Sequence, residues 1–198
     1  MLSPAEYSKA FSAALPWDQY VATAKAHEAP GWLATFEQAR LSPAQEALVQ
    51  TFARRLNVLV ISGTWCGDCV QQAPLLERIA RARPAPRQSP QAPGIDIRYA
   101  DRDQHAAFSA NFKIASGGRV PVAIFLNEDF DFVSLMGDKT LARLRTLAAQ
   151  SLGPACPLPG APIPADERAA VTQDWLNEFE RVALLLRLSA KLRARHND

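Results

Sequence analysis

Residues 58–80 read VLVISGTWCGDCVQQAPLLERIA, and the interpretation of the whole chain starts from this stretch. It opens within an apolar run, residues 57–62, whose β-branched side chains predict a central strand buried on both faces. It continues with apolar residues at helical spacing, which predict a helix. Two cysteines, Cys66 and Cys69, therefore fall where a buried strand leads into a helix.

A cysteine at the start of a helix lies in a setting that favours its thiolate. The unpaired backbone N–H groups and the positive end of the helix dipole stabilise an anion there, which lowers the pKa of the thiol. Cys69 follows Cys66 by about one helical turn, so the two sulfurs can approach and form a disulfide. We therefore expect Cys66 to attack a disulfide and Cys69 to resolve the mixed disulfide that results.

Other uses of a close cysteine pair stay open as weaker interpretations. Zinc needs three or four protein ligands, and the sequence has neither a second CxxC nor a paired-histidine motif. An iron–sulfur cluster bridged between the cysteine pairs of two chains is a further alternative. The third cysteine, Cys156, is interpreted as an incidental thiol, with a third redox thiol as the alternative.

The stretch 58–80 resembles the active-site strand and helix of the thioredoxin family. Trp65 before the first cysteine, Gly67 between the cysteines and Pro74 within the helix all match the family's pattern. The resemblance implies an α/β, thioredoxin-like fold and thiol–disulfide oxidoreductase activity. It also implies that Trp65 and Gly67 shape the active-site loop.

A second landmark is GGRVPVAIFLN at residues 117–127. By the same resemblance, the bond between Val120 and Pro121 is a cis peptide bond that faces the cysteine pair and shapes a substrate groove. An extended substrate segment would pair with the backbone beside it, as in strand addition. The resemblance covers residues 55–150 and leaves both ends of the chain unexplained.

Two departures from the family's pattern bear on the chemistry. Position 68 is Asp where thioredoxin itself has Pro, and a carboxylate disfavours a nearby thiolate. We expect Asp68 to raise the thiol pKa and make the pair more reducing; the alternative is a solvated carboxylate with little effect. The buried Asp that thioredoxin carries six residues before its first Cys is Val60 here, so Cys69 must lose its proton to water or to another group, for which Asp68 is a candidate.

The rest of the sequence predicts an α/β domain with helical additions at each end. Residues 1–54 are expected to form a helical extension packed on the core, with a lid over a partner or substrate as the alternative. Residues 55–152 are predicted to form the thioredoxin-like domain, in the order βαβαββα, with a central mixed sheet flanked by helices. Residues 153–198 are predicted to be a proline-rich crossing followed by one long helix over 165–195, which packs on the domain or, alternatively, forms a dimer.

The charge and hydropathy of the sequence limit the partners and the cellular compartment that we expect for the protein. The formal net charge of +2 gives no argument for nucleic acid, and no apolar run is long enough to span a bilayer. The first residues do not resemble a secretory signal, so we expect a cytoplasmic protein without nucleic-acid or membrane partners. No metal or organic cofactor is implied. The expected partners are a disulfide-containing protein substrate and an electron-donating reductase.

A function of a different class also fits the sequence. The chain is alternatively a thioredoxin-like binding or assembly module with little turnover. In that case the added helices carry the function, and the thiols are vestigial or regulatory.

Overall fold

The computed structural model describes residues 2–86, 89, 92–152 and 163–197. The predicted α/β class is confirmed, and the order βαβαββα follows the N-terminal helices. In chain order the elements are α1 (Pro4–Ala13), α2 (Trp17–Ala22), α3 (Ala29–Gln38), α4 (Pro43–Gln50), β1 (Arg55–Ser62), α5 (Gly67–Ala82), β2 (Gly94–Asp101), α6 (Ala106–Ser109), β3 (Val122–Leu126), β4 (Phe132–Gly137), α7 (Leu141–Ser151), α8 (Glu167–Leu188) and α9 (Ala190–His196).

Strand β1 lies inside a mixed sheet whose order is β2-β1-β3-β4. It pairs with β2 in parallel and with β3 in antiparallel orientation, and all of its residues are buried. In the antiparallel register Ile61 lies opposite Val122. Because Pro121 precedes Val122, this register brings the start of β3 next to the loop that joins β1 to α5.

The N-terminal helices cover the outer edge of the sheet and pack on α5. The backbone of Leu15 exchanges two hydrogen bonds with that of Tyr99 on β2, at N···O distances of 2.9 and 2.8 Å. Gly31 on α3 lies against Val70 on α5, where an added Cβ would come within 3.3 Å of the valine side chain. Part of the otherwise unpaired edge of β2 is therefore occupied by the chain itself.

Helix α8 of the C-terminal region also packs against α5. The Trp175 indole Nε1 donates to Gln72 Oε1 at 3.2 Å, and the Gln72 amide donates to the Asp138 carbonyl at 2.8 Å. The Phe179 ring meets Phe125 of β3 edge to face, with 5.1 Å between centroids. None of the described helices is both long and apolar enough to cross a membrane.

The prediction of one continuous helix over 165–195 is wrong, because α8 ends at Leu188 and α9 begins at Ala190. Ser189 between them is extended, with ψ of 106°, and its side chain accepts a hydrogen bond from the Leu192 N–H at 3.3 Å. A serine that caps a following helix competes with helix continuation at its own position. Of the predicted proline-rich crossing over 153–164, residues 153–162, which include Cys156, lie outside the described residues.

Trp32 joins the N-terminal helices to the loop after β1. Its side chain is fully buried, and its indole Nε1 donates to the Thr64 carbonyl at 2.9 Å. Its ring also contacts Trp17 and Tyr20, at centroid distances of 5.7 and 5.6 Å. Through this hydrogen bond and its packing, a residue of α3 fixes the position of the loop that carries the cysteines.

Replacing Trp32 with Phe is expected to lower the free energy of unfolding by about 1–3 kcal/mol, because a buried carbonyl loses its donor. The measurement is urea unfolding followed by circular dichroism. Trp17→Phe is the matched control, since Trp17 lies in the same aromatic cluster and its indole makes no hydrogen bond within the described part of the chain. Equal losses in the two variants would contradict the importance of the Trp32 hydrogen bond.

Candidate active site

Cys66 occupies the N-cap position of α5 and points towards the start of β3. Its backbone is extended, with φ of −88° and ψ of 119°, and its sulfur accepts a hydrogen bond from the Cys69 N–H at 3.4 Å. When protonated, the same sulfur is placed to donate to the Val120 carbonyl at 3.5 Å. Both cysteines are free thiols; Cys66 is partly exposed and Cys69 is fully buried.

The surroundings of the two thiols push their acidities apart. The pKa of Cys66 is lowered to about 6, first by a hydrogen bond with the Cys69 thiol and further by the backbone N–H groups of Cys69 and Asp68. Partial burial and the Asp68 carboxylate oppose this lowering. Burial raises the pKa of Cys69 well above its ordinary value, and Cys66 raises it further. At neutral pH the outer sulfur is therefore a thiolate and the inner one a thiol.

The Val120–Pro121 peptide bond is cis, and both residues are buried. The Val120 carbonyl faces Cys66, so the structure brings this segment and the cysteine loop together. A groove of about 200 Å³ lies on this side of the molecule. The residues that line it include Ile61, Arg102, Lys113, Arg119 and Val120.

Trp65 is the exposed aromatic residue of the loop. Its side chain is 48% exposed, and the Arg102 guanidinium lies 4.5 Å from the ring centroid. A Cβ on Gly63 would come within 2.7 Å of the Trp65 indole, so the ring can lie over position 63 only because that residue is glycine. An added Cβ on Gly67 would meet nothing within 4 Å, so no steric contact explains the glycine there. Neither Gly63 nor Arg102 was predicted from the sequence.

Asp68 is engaged in ion pairs. Its carboxylate lies 2.9 Å from Lys139 Nζ and 3.6 Å from Arg143 Nε, and its side chain is 24% exposed. Lys139 also pairs with Asp138, and Arg143 pairs with Glu167 at the start of α8. The negative charge beside the thiols is thus partly offset by two cations. Sequence reasoning missed both cations, because they lie about 70 residues from the cysteines along the chain.

No carboxylate hydrogen-bonds to either thiol within the ranges that the structure describes. Val60, at the position of the carboxylate expected from the family, is fully buried in β1 between Tyr99 and Ala123. Across the same described ranges, no group of three or more His, Cys, Asp or Glu side chains is arranged to hold a metal ion.

Comparison with known proteins agrees with this architecture. A family model described as thioredoxin matches residues 14–138. The 1.5 Å crystal structure of a protein of unknown function from Pseudomonas aeruginosa is similar over 92% of this chain and 97% of its own, with a TM-score of 0.64 and 16% identity. An HIV epitope-scaffold is similar over 93% of this chain and 99% of its own, with a TM-score of 0.55 and 17% identity. No curated protein matches. At these identities the two structures show a shared fold.

The rate at which Cys66 reacts with iodoacetamide is expected to rise with pH and to reach half its maximum near pH 6, because the thiolate is the reacting form. The reaction is followed by mass spectrometry of the peptide that contains Cys66, in a Cys156→Ser background. Cys69 should stay largely unlabelled because it is buried. A midpoint near the ordinary cysteine value of about 8.5 would contradict the assignment.

Replacing Lys139 with Gln is expected to raise the pKa of Cys66, because the Asp68 carboxylate then loses a neutralising partner. Asp68→Asn should lower the pKa of Cys66, and the double variant should return towards the parent value. The same iodoacetamide titration reads out all three. Lys191→Gln is the control, since α9 contacts the turn at Asp129, at the end of β3 remote from the cysteines. Unchanged midpoints in all variants would favour an inert Asp68.

Proposed function

This chain belongs to the thioredoxin family, and we propose on that basis that it is a thiol–disulfide oxidoreductase that reduces protein disulfides. The observation that carries the proposal is the contrast between a partly exposed Cys66 of low pKa and a buried Cys69 of high pKa, one helical turn apart. A thiolate attacks disulfides, whereas a buried, protonated thiol stays unreactive until the mixed disulfide has formed beside it.

In the proposed reaction, the Cys66 thiolate attacks one sulfur of the substrate disulfide. The substrate S–S bond breaks, a mixed disulfide forms, and the departing substrate sulfur takes a proton from water. Cys69 then loses its proton and attacks Cys66 Sγ. A Cys66–Cys69 disulfide forms while the second substrate sulfur leaves and takes up that proton. Two electrons have passed to the substrate, and a reductase with its own dithiol must return them.

The surrounding residues support a groove for an extended substrate segment. The backbone at Val120 and Pro121 lies within reach of Cys66, so a segment paired there would present its disulfide to the thiolate. The exposed Trp65 ring would cover the other side of the loop. In this proposal Gly67 shapes the loop and Asp68, with its two cations, tunes the potential.

The proposed domain division assigns distinct parts to the chain. Residues 55–152 carry the chemistry, residues 1–54 form an extension packed on it, and residues 153–198 form the crossing and the C-terminal helices. The Trp32 hydrogen bond to the cysteine loop supports the packed extension over the alternative of a partner or substrate lid. We place the reaction in the cytoplasm, where dithiol reductases keep such a pair reduced.

A binding or assembly module is the second candidate function, and one feature of α8 favours it. Leu184, Leu185 and Leu188 are exposed by 53%, 43% and 76%. Exposed apolar side chains on neighbouring turns of a helix suit a contact with another protein. In this case the fold holds partners together, and the thiols contribute little turnover.

Reduction of insulin disulfides with a coupled dithiol reductase is the test of the proposed enzyme. Cys66→Ser should reduce the rate to the uncatalysed background, because no other described thiol can start the attack. Cys69→Ser should trap a mixed disulfide that mass spectrometry detects. Cys156→Ser is the control and should keep the activity. A folded parent protein with no turnover under any dithiol supply would contradict the enzyme and favour the module.

The redox potential of the Cys66–Cys69 pair is expected in the reducing range, close to the value of about −270 mV that thioredoxin has. Equilibration with glutathione buffers measures it. A value above about −150 mV would indicate an oxidant in place of a reductase.

A further inference from the structure

Two buried hydroxyl groups near Cys69 have no part in the reaction described so far. Ser62 is the last residue of β1 and is fully buried, and Tyr20 on α2 is 1% exposed. Neither hydroxyl oxygen makes a hydrogen bond of regular geometry to any residue that the structure describes. A buried hydroxyl left without a partner costs about 1–3 kcal/mol, so two of them side by side call for an explanation.

The Ser62 hydroxyl is a neighbour that affects both of the other groups. Burial raises the pKa of Cys69, and the nearby Ser62 hydroxyl acts in the opposite direction. Burial likewise raises the pKa of Tyr20, and the same Ser62 hydroxyl again opposes it. The three groups are therefore close enough to interact, although with Cys69 as a thiol the hydroxyls do not adopt regular hydrogen-bond geometry.

The position of the Tyr20 hydroxyl is fixed by aromatic packing. Its ring stacks on Tyr99 at a centroid distance of 5.4 Å and meets Trp32 edge to face at 5.6 Å. The carboxylates in this part of the molecule are occupied or remote from the sulfur. Glu77 is bound by Arg81 and by the Tyr99 hydroxyl, and Asp101 accepts from backbone N–H groups of the loop that follows β2.

We propose that Ser62 and Tyr20 form a hydroxyl pair that stabilises the Cys69 thiolate as it attacks the mixed disulfide, an inference that rests on the proposed function. Ser62 Oγ–H donates to the Cys69 sulfur, and Tyr20 Oη–H donates to Ser62 Oγ. The proton of Cys69 passes to the departing substrate sulfur, while both hydroxyls keep theirs. Ser62 touches a reacting sulfur and is a catalytic residue; Tyr20 acts through Ser62 and is a positioning residue.

The hydroxyl pair stabilises the Cys69 thiolate, which the apolar side chain of Val60 cannot do. With no carboxylate to take its proton, Cys69 needs some other group that favours its anionic form. Donation from a hydroxyl to an ionised sulfur is a charge-assisted hydrogen bond, and it strengthens as the charge develops. The pair therefore contributes more to the attacking state than to the resting thiol, which is the requirement for catalysis.

The test uses Ellman's reagent at one equivalent, in a Cys156→Ser background, with release of thionitrobenzoate followed by stopped flow. Attack by Cys66 releases the first thionitrobenzoate, and attack by Cys69 on the mixed disulfide releases the second. Ser62→Ala should slow the second release about tenfold, as expected for loss of a hydrogen bond to a charged group. Tyr20→Phe should slow it about threefold, as expected for a neutral hydrogen bond. The first release should change by less than about twofold in either variant.

Two further measurements separate this role from a structural one. In Ser62→Ala the rise of the second rate with pH should move to higher pH, because loss of the donor raises the pKa of Cys69. Ser62→Thr keeps the hydroxyl and should restore most of the second rate. Tyr7→Phe is the matched tyrosine control, since Tyr7 is equally buried but packs among Phe108, Phe112 and Phe132. It should leave both rates unchanged.

An unchanged second rate in Ser62→Ala would overturn the proposal, and so would equal slowing of both releases. Slowing in Ser62→Ala without slowing in Tyr20→Phe would overturn the part assigned to Tyr20. Ellman's reagent reacts without recognition by a protein groove, so these results do not depend on the physiological substrate. Failure of the proposed function would instead appear as absent insulin turnover in a parent protein whose two releases are intact.

Discussion

The structure depends on the continuity between a fully buried strand and the helix that follows it. Strand β1 is fixed on both sides by β2 and β3, so the point where its backbone leaves the sheet is fixed as well. Helix α5 begins there with Cys66 at the N-cap, where the first N–H groups of the helix have no intrahelical partners. Those donors meet a sulfur in place of the usual hydroxyl or carboxylate.

The two cysteines are the same residue type, and only their positions on this junction distinguish them. Cys66 lies at the mouth of the loop, where backbone donors and its partner thiol favour an anion. Cys69 has turned into the core, where desolvation favours the neutral form. The positions of the two thiols on this junction thus shift their pKa values in opposite directions.

The features encoded by neighbouring residues were accessible from the sequence. The strand-to-helix junction at the cysteine pair follows from periodicity over residues 58–80. The α/β class follows from the order of strands and helices over residues 55–152 and from the resemblance, which also pointed to the segment at Val120. The ion pairs of Asp68 with Lys139 and Arg143 were not accessible, because nothing local to either cation marks it as a neighbour of the cysteines. The break at Ser189 was missed because the apolar spacing continues across it, while the capping hydrogen bond is a single local preference.

The pairing of Leu15 with Tyr99 has a consequence for any shortened form of this protein. A fragment that began at β1 would keep the cysteine junction and the pairing of Ile95 with residues 83–85, yet it would leave the backbone donor and acceptor of Tyr99 on β2 without their partner. An exposed strand edge of this kind can pair with a strand of a neighbouring molecule. The segment at Leu15 therefore protects this part of the sheet edge from pairing with a second molecule, and a shortened form designed to stay monomeric should include it.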